Sequence, residues 1–282
     1  MSQATIQSKF AWSLEFNDSN TDRQYLSCAA GLTPYFYVPA DNDYTMVWVA
    51  AKNRFVSQFV RNTMSQEGDR AVSVAVGTEA NAFIAAGLNA PPGFAVEIAI
   101  YYQTDIGDTT IWNFLNASGN HRYYINKFAS YRGQFFVRDN AGTERTLQEG
   151  AGYGSFLGSW THFVCSIQKG VSNPWYIYRN GVASAGTATS WTYGDIKPFT
   201  GWTTIQSGSR NVNTFDTAQM AFCRLYKDYI DADEVALLYN SGSWRTIDYV
   251  NTNWEQNFGG RQKKIRVNAG DATGSAYKWR DG

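Results

Sequence analysis

Few side chains in this sequence are placed to do covalent chemistry. The chain of 282 residues holds two histidines, His121 and His162, and neither has a cysteine or carboxylate at the spacing of a metal-ligand set. Hydrolysis of a glycosidic bond needs two carboxylates on either side of it, an acid and a nucleophile or base. The nearest tandem acids are Glu67 and Asp69, and the glycine between them marks a turn rather than a strand. No Gly-x-Ser-x-Gly elbow presents a serine nucleophile. The glycine-rich run 150–158 lacks the lysine and the strand-to-helix setting of a phosphate loop and reads as a surface loop. The pattern argues for recognition rather than catalysis.

Recognition chemistry is better supplied. Aromatic residues make up 16% of the chain. A sugar ring stacks on an exposed aromatic with polar neighbours, and Trp175, Trp191, Tyr193 and Trp202 are the candidates, the last three in or beside a loop. In a chain this aromatic most tryptophans belong to a core or an interface, so each carries both readings. The last segment, 243–282, has a different character, with seven Lys and Arg against four Asp and Glu, a net +3 opposed to −3 for the rest. Trp254, Arg261, Lys263, Lys264 and Arg266 suit an arm that docks on a partner. The alternatives are an arm folded back on its own body or a disordered tail.

The elements that would position these groups are strands. In Trp160–Gln168, Phe163, Cys165 and Ile167 alternate with His162, Val164 and Ser166, the period of two that marks a strand with two unequal faces. A polar link ending in Pro174 leads to the aromatic, β-branched Trp175-Tyr-Ile-Tyr-Arg179. Asn180-Gly181 closes it as a type I′ turn, since both residues tolerate positive φ. Similar runs predict strands over 13–16, 24–27, 44–50, 55–60, 71–76, 94–102, 109–115, 122–126, 134–138, 203–206 and 220–226, at the short spacing of a meander. One helix follows. Asp231 is its N-cap, Glu234 completes a capping box, Val235, Leu238 and Tyr239 share a face, and Gly242 ends it.

These stretches carry a resemblance. Trp160-Thr-His with the aromatic strand ending in Asn180-Gly181, Met220-Ala-Phe-Cys-Arg-Leu-Tyr226, the helix 231–242, and the opening Ser13-Leu-Glu-Phe-Asn-Asp-Ser19 and Gln24-Tyr-Leu-Ser27 are similar to the laminin-G-like branch of the concanavalin A-like lectin/glucanase superfamily. The resemblance implies an all-β, concanavalin A-like jelly-roll sandwich of two antiparallel sheets over 13–242. An N-terminal arm over 1–12 and a C-terminal arm over 243–282 would flank it. The segment 28–92 fits least well and reads as extra strands or a small subdomain. The glucanases of this group show Glu-x-Asp-x-x-Glu on one strand, and that third acid is absent after Asp69. Laminin-G-like domains often bind calcium through loop oxygens, which makes Asp18 and Asp22, with Asn17, a candidate calcium site and Asp105 and Asp108 a second. Asp and Asn also simply make turns.

Composition narrows the setting. Lys plus Arg and Asp plus Glu are 24 each, a net charge of zero, so nothing in the total suggests nucleic acid. No window reads as a membrane span. The first residues lack the apolar stretch of a secretory signal, and Cys28, Cys165 and Cys223 read as buried thiols rather than a disulfide framework. Cys165 and Cys223 could pair only from neighbouring strands. A sandwich of usually extracellular habit, with no signal and no disulfides, fits a bacteriophage or viral structural protein folded in a host cytoplasm. The expectation is therefore a non-enzymatic virion protein, a capsid decoration or tail-associated module. Its partners would be other virion proteins and further copies of itself, with a possible host-surface glycan. A stand-alone lectin or carbohydrate-binding module is the second reading and a glycan-degrading enzyme the third.

Overall fold

Residues 93–102 show why the protein builds layers on both sides of one sheet. Phe94, Val96, Ile98, Ile100 and Tyr102 alternate with Ala95, Glu97, Ala99 and Tyr101, and every one except Tyr101 is buried. A strand hidden on both faces must lie between two layers. The computed structural model describes residues 6, 9–15, 25–28, 44–59, 72–75, 93–103, 109–116, 121–128, 132–138, 144–149, 157–168, 175–184, 186–188, 202–207, 218–226 and 228–244.

Among these residues sixteen strands form two sheets of antiparallel strand pairs. The first runs, in spatial order, β13 (Val182–Ser184), β12 (Trp175–Arg179), β11 (Trp160–Gln168), β6 (Gly93–Tyr102), β16 (Ala218–Tyr226), β1 (Phe10–Glu15) and β2 (Tyr25–Cys28). The hairpin of β3 (Tyr44–Val49) and β4 (Arg54–Phe59) joins it where β4 pairs with Ala218–Met220. The second sheet runs β14 (Gly186–Ala188), β10 (Glu144–Glu149), β9 (Arg132–Arg138), β8 (His121–Phe128), β7 (Thr109–Asn116), β15 (Trp202–Ser207) and β5 (Val72–Ala75). The protein is an all-β sandwich. Within 28–92, β3 and β4 extend the first sheet and β5 pairs in the second.

Between the sheets Phe135 of β9 meets Phe94 and Trp175 edge-on, with ring centroids 6.1 and 6.0 Å apart. The outer face of the first sheet is covered by helix α1 (Ala232–Tyr239). Ala95, Val164, Tyr178 and Tyr226 from the sheet pack there with Ile230, Val235, Leu238 and Ile6. Burying a side chain such as Val235 or Leu238 stabilises by roughly 1.5–3 kcal/mol. A bulge between Met220 and Phe222 reverses the facing of β16: Met220 pairs with Ile100 toward the inner core, while Phe222, Arg224 and Tyr226 share the helix side with Ala99, Glu97 and Ala95.

Local signals in the sequence explain the joints. Asn180 and Gly181 have φ of 51° and 80°, as a type I′ turn requires. Asp231 accepts from the Glu234 amide at 2.9 Å, and the Glu234 carboxylate accepts from the Asp231 amide at 3.0 Å, so the capping box forms. The helix stops earlier than Gly242. Asn240 takes the left-handed position, φ 47°, and its amide bonds Ala236 O, because asparagine tolerates that region almost as well as glycine. Two further boundaries differ from the sequence reading. The strand β1 starts at Phe10, and Ile6 is buried beneath α1, so these residues of 1–12 are built into the body. Trp244, assigned to the C-terminal arm, is only 6% exposed, and its ring packs against Trp160 and Phe222 at 5.1 and 5.7 Å.

Candidate functional site

Among the described residues, two charge clusters and one aromatic surface are the places where chemistry could be done. The first cluster centres on Glu97. Its neighbours on the helix side of β6 are Ala95 and Ala99, which leave room for long side chains from both flanking strands. Arg224 of β16 stands directly opposite and donates to Oε1 and Oε2 at 3.1 and 3.3 Å. The Tyr226 hydroxyl donates to Oε2. His162 of β11 reaches diagonally, with Nε2 2.8 Å from Oε1. The exposures of Glu97, His162, Arg224 and Tyr226 are 0–1%. Burial pushes the Glu97 carboxyl up, but Arg224, His162 and Tyr226 overcome it and hold it down at about 2. A carboxylate ionised throughout the neutral range, sealed from substrate, is no general acid. The cluster is a structural anchor under α1. Tyr239 closes over it, its ring 5.6 Å from that of His162.

The second cluster lies between the sheets. Arg179 of β12 donates from Nε and Nη2 to the two carboxylate oxygens of Glu149 on β10, at 3.0 and 2.5 Å. The Gly133 amide donates to the same carboxylate at 2.7 Å. Glu149 is fully buried and Arg179 is 6% exposed. A bidentate pair of this kind fixes how the sheets are set against each other. It too is closed to a ligand.

The third place is open. On β12 the alternation puts Trp175, Ile177 and Arg179 inward and Tyr176 and Tyr178 outward. Tyr176 is 38% exposed, and its ring stacks on that of Tyr178 at 6.4 Å and 25°. Across the ladder Tyr176 pairs with Ser166, whose hydroxyl accepts from the Ile230 amide at 2.8 Å. That bond holds Ile230, between Asp228 and Asp231 in the chain, on the ladder partner of Tyr176. Lys9 stands over the Tyr229 ring at 4.8 Å and donates to Tyr229 O and Glu234 Oε2 at 2.9 and 2.8 Å. Burial, then Tyr176, Asp231 and Glu234, push the Tyr178 phenol up to about 12. Burial likewise raises the Asp228 carboxyl, with Lys9 opposing it.

The candidates read from the sequence fall as follows. Trp175 is 5% exposed, and its ring lies in the inter-sheet core against Phe135. It is a packing group, and the outward aromatic is its neighbour Tyr176. Trp202 opens β15 and pairs with Asn116. Trp191, Tyr193, Asp18, Asp22, Asp105, Asp108, Trp254, Arg261, Lys263, Lys264 and Arg266 lie outside the described residues. Among the described residues no group of three His, Cys, Asp or Glu is gathered as a metal site, and no helix is long and apolar enough to cross a membrane. His121 opens β8. Cys165 and Cys223 are buried reduced thiols on β11 and β16, strands that β6 separates. Sequence reasoning missed Glu97, Glu149, Arg179 and Arg224. Glu97, Arg179 and Arg224 are charges inside or at the end of apolar strand runs, a pattern that signals a buried pair, whereas Glu149 ends a polar strand that carries no such signal.

No protein-family model and no curated protein sequence matches the chain. Solved structures share its fold. The binding domain of botulinum neurotoxin DC, solved with rat synaptotagmin II, superposes with a TM-score of 0.58 at 16% identity over 84% of this chain and 52% of that one. The ligand-binding domain of botulinum neurotoxin serotype D, solved with N-acetylneuraminic acid, gives 0.56 at 12% identity over 84% and 52%. A structure of botulinum neurotoxin type C, whose cell entry is described as depending on two ganglioside molecules, gives 0.58 at 17% identity over 85% and 53%. The chain spans about half the length of these structures. At such identities the likeness is one of fold.

Proposed function

We propose that the protein is a non-enzymatic recognition module that binds a surface glycan. The observation that carries this reading is the shared sandwich, matched over 84% of the chain to domains whose described partners are a sialic acid and a synaptotagmin. The sites support it. Among the described residues, the histidine–carboxylate pair and the arginine–carboxylate pair are both sealed, whereas the Tyr176 ring of β12, stacked on the buried Tyr178, opens to solvent. The finer reading is a virion protein, a capsid decoration or tail-associated module, carried on a particle with other virion proteins or further copies of itself and facing a host glycan. Two reduced thiols in the core of a lectin-like sandwich support folding in a reducing compartment, where such proteins are made.

Binding of the purified chain to a panel of bacterial, algal and animal glycans tests the first claim. Saturable binding to one class is the expected result, and silence across the panel would overturn it. Sedimentation of lysates from cells producing particles tests the second. The chain is expected to travel with the particle, and a chain found only in the soluble fraction would leave a stand-alone lectin.

A further inference from the structure

We infer that the outward face of β12 at Tyr176, backed by the buried Tyr178 and bordered by Asp228 and Asp231, is a binding site for an uncharged pyranose and disfavours sialylated glycans. The inference rests on the glycan-binding reading above and names its place and its ligand class.

The face has the parts such a ligand uses. Tyr176 offers an open ring on a strand whose alternate residues, Trp175 and Ile177, are fixed in the core. Stacking on Tyr178 holds the ring in one orientation, so little rotamer freedom is lost when a sugar lies on it. Hydroxyls of a bound pyranose need acceptors at its rim. Asp231 caps α1 through Oδ1 and Asp228 binds the Tyr229 amide through Oδ1, and each carboxylate has a second oxygen. The chain that carries these acids is fixed by the Ile230 to Ser166 bond, directly across the ladder from Tyr176.

Charge selects the ligand. Among the described residues the nearby cation is Lys9, which pairs with the buried Glu234 at 2.8 Å and also acts on Asp228. Against that one cation stand Glu234, Asp228, Asp231 and Asp233, so the described charges of this rim sum to a negative value. An anionic sugar brought here meets like charge, which costs affinity and slows encounter. A neutral hexose does not. The partners of the structurally similar toxin domains include an acidic sugar, so the inference separates this chain from them.

The test is calorimetric titration of the full chain with a neutral oligosaccharide set and its sialylated counterparts, for wild type, Tyr176→Ala and Tyr176→Phe. Thermal melts check that the variants fold, as expected for an exposed position. Expected are binding of a neutral glycan, a loss of about tenfold or more in Tyr176→Ala, equivalent to about 1.4 kcal/mol, and near wild-type affinity in Tyr176→Phe, which keeps the stacking ring. Neutral-glycan binding indifferent to Tyr176→Ala would overturn this site and leave the glycan-binding reading standing. Tighter binding of the sialylated counterpart, lost in Tyr176→Ala, would overturn the charge argument. Self-association by analytical ultracentrifugation, abolished in Tyr176→Ala with no sugar effect, would make the face a contact between copies. No binding of any glycan by wild type would overturn the site and the reading together.

Discussion

Arg224 faces Glu97 directly across the β16–β6 ladder, 3.1 Å from its carboxylate, with both side chains shut off from solvent. The pair is held in the dry layer beneath α1. Removing one partner leaves a buried charge with too little compensation, which costs about 3–5 kcal/mol. Arg224→Met is therefore expected to lower the unfolding free energy from urea titration by that amount, with a matching fall in the midpoint. The double variant Arg224→Met/Glu97→Gln should recover part of the loss, because it abolishes the stranded carboxylate. Equal destabilisation in the single and double variants would show that lost packing, not charge, is what matters.

The same carboxylate makes stability depend on pH with a definite sign. Glu97 titrates at about 2 in the folded protein against an ordinary 4.5. A depressed carboxyl binds protons less readily folded than unfolded, so its contribution is full above about pH 4.5. It falls as the pH drops toward 2. At 1.36 kcal/mol per unit the contribution is about 3 kcal/mol at neutrality. Urea denaturation from pH 7 to 2.5 should show wild type losing stability more steeply than Glu97→Gln. A gap between the two that stays constant across that range would remove Glu97 as the cause.

Much of this sandwich is legible in the sequence because period-two alternation and turn chemistry are local. The β11–β12 pair, the Asn180-Gly181 turn and the Asp231/Glu234 capping box all follow from residues within a few places of one another. What is not legible depends on which face a layer covers. His162, Val164 and Ser166 read as the more polar side of β11, yet they are fully buried, because α1 and residues 228–230 arrive from some 65 residues downstream. Trp175 and Tyr176 are indistinguishable by type. Only the position of the second sheet decides that the first is core and the second surface. Glu149 lies next to the glycine-rich run 150–158, and its role depends on Arg179, 30 residues on. The β10 strand it ends, Glu144–Glu149, is too polar to announce itself.

Trp244 tests where the folded body ends. Its ring meets Trp160 and Phe222, and Lys52 sits 4.3 Å above it while donating to Gly242 O. That arrangement ties the β3–β4 turn to the end of α1. Trp244→Ala should cost about 3–5 kcal/mol, as for other large buried aromatics. A chain cut after residue 244 should melt much closer to full length than one cut after 240. Equal melting of the two truncations would show that Trp244 does not close the fold.

Gly133 tests the inter-sheet anchor. A Cβ built there would lie 2.2 Å from the Phe163 ring and 3.2 Å from the Glu149 carboxylate. Phe163 is wholly buried, so a shift of its ring must displace other core atoms. Gly133→Ala is therefore expected to destabilise by about 1–3 kcal/mol through overpacking. Pairing it with Phe163→Leu should recover part of that loss, and simple additivity of the two changes would argue against a clash.

Cys165 reports on the same core from the chemical side. Its thiol lies fully buried on the inner face of β11, and burial first, then the charge of Glu149, pushes it well above the ordinary range. Only the thiolate alkylates readily, so the native protein should resist iodoacetamide at pH 8 while the unfolded chain reacts. Because burial is the larger cause, Glu149→Gln should not make Cys165 reactive in the folded state. Labelling followed by peptide mass spectrometry across a urea series should track global unfolding, with the rate set by the population of the open form. Fast labelling of Cys165 well below the unfolding midpoint would mean that the two sheets part locally before the protein unfolds.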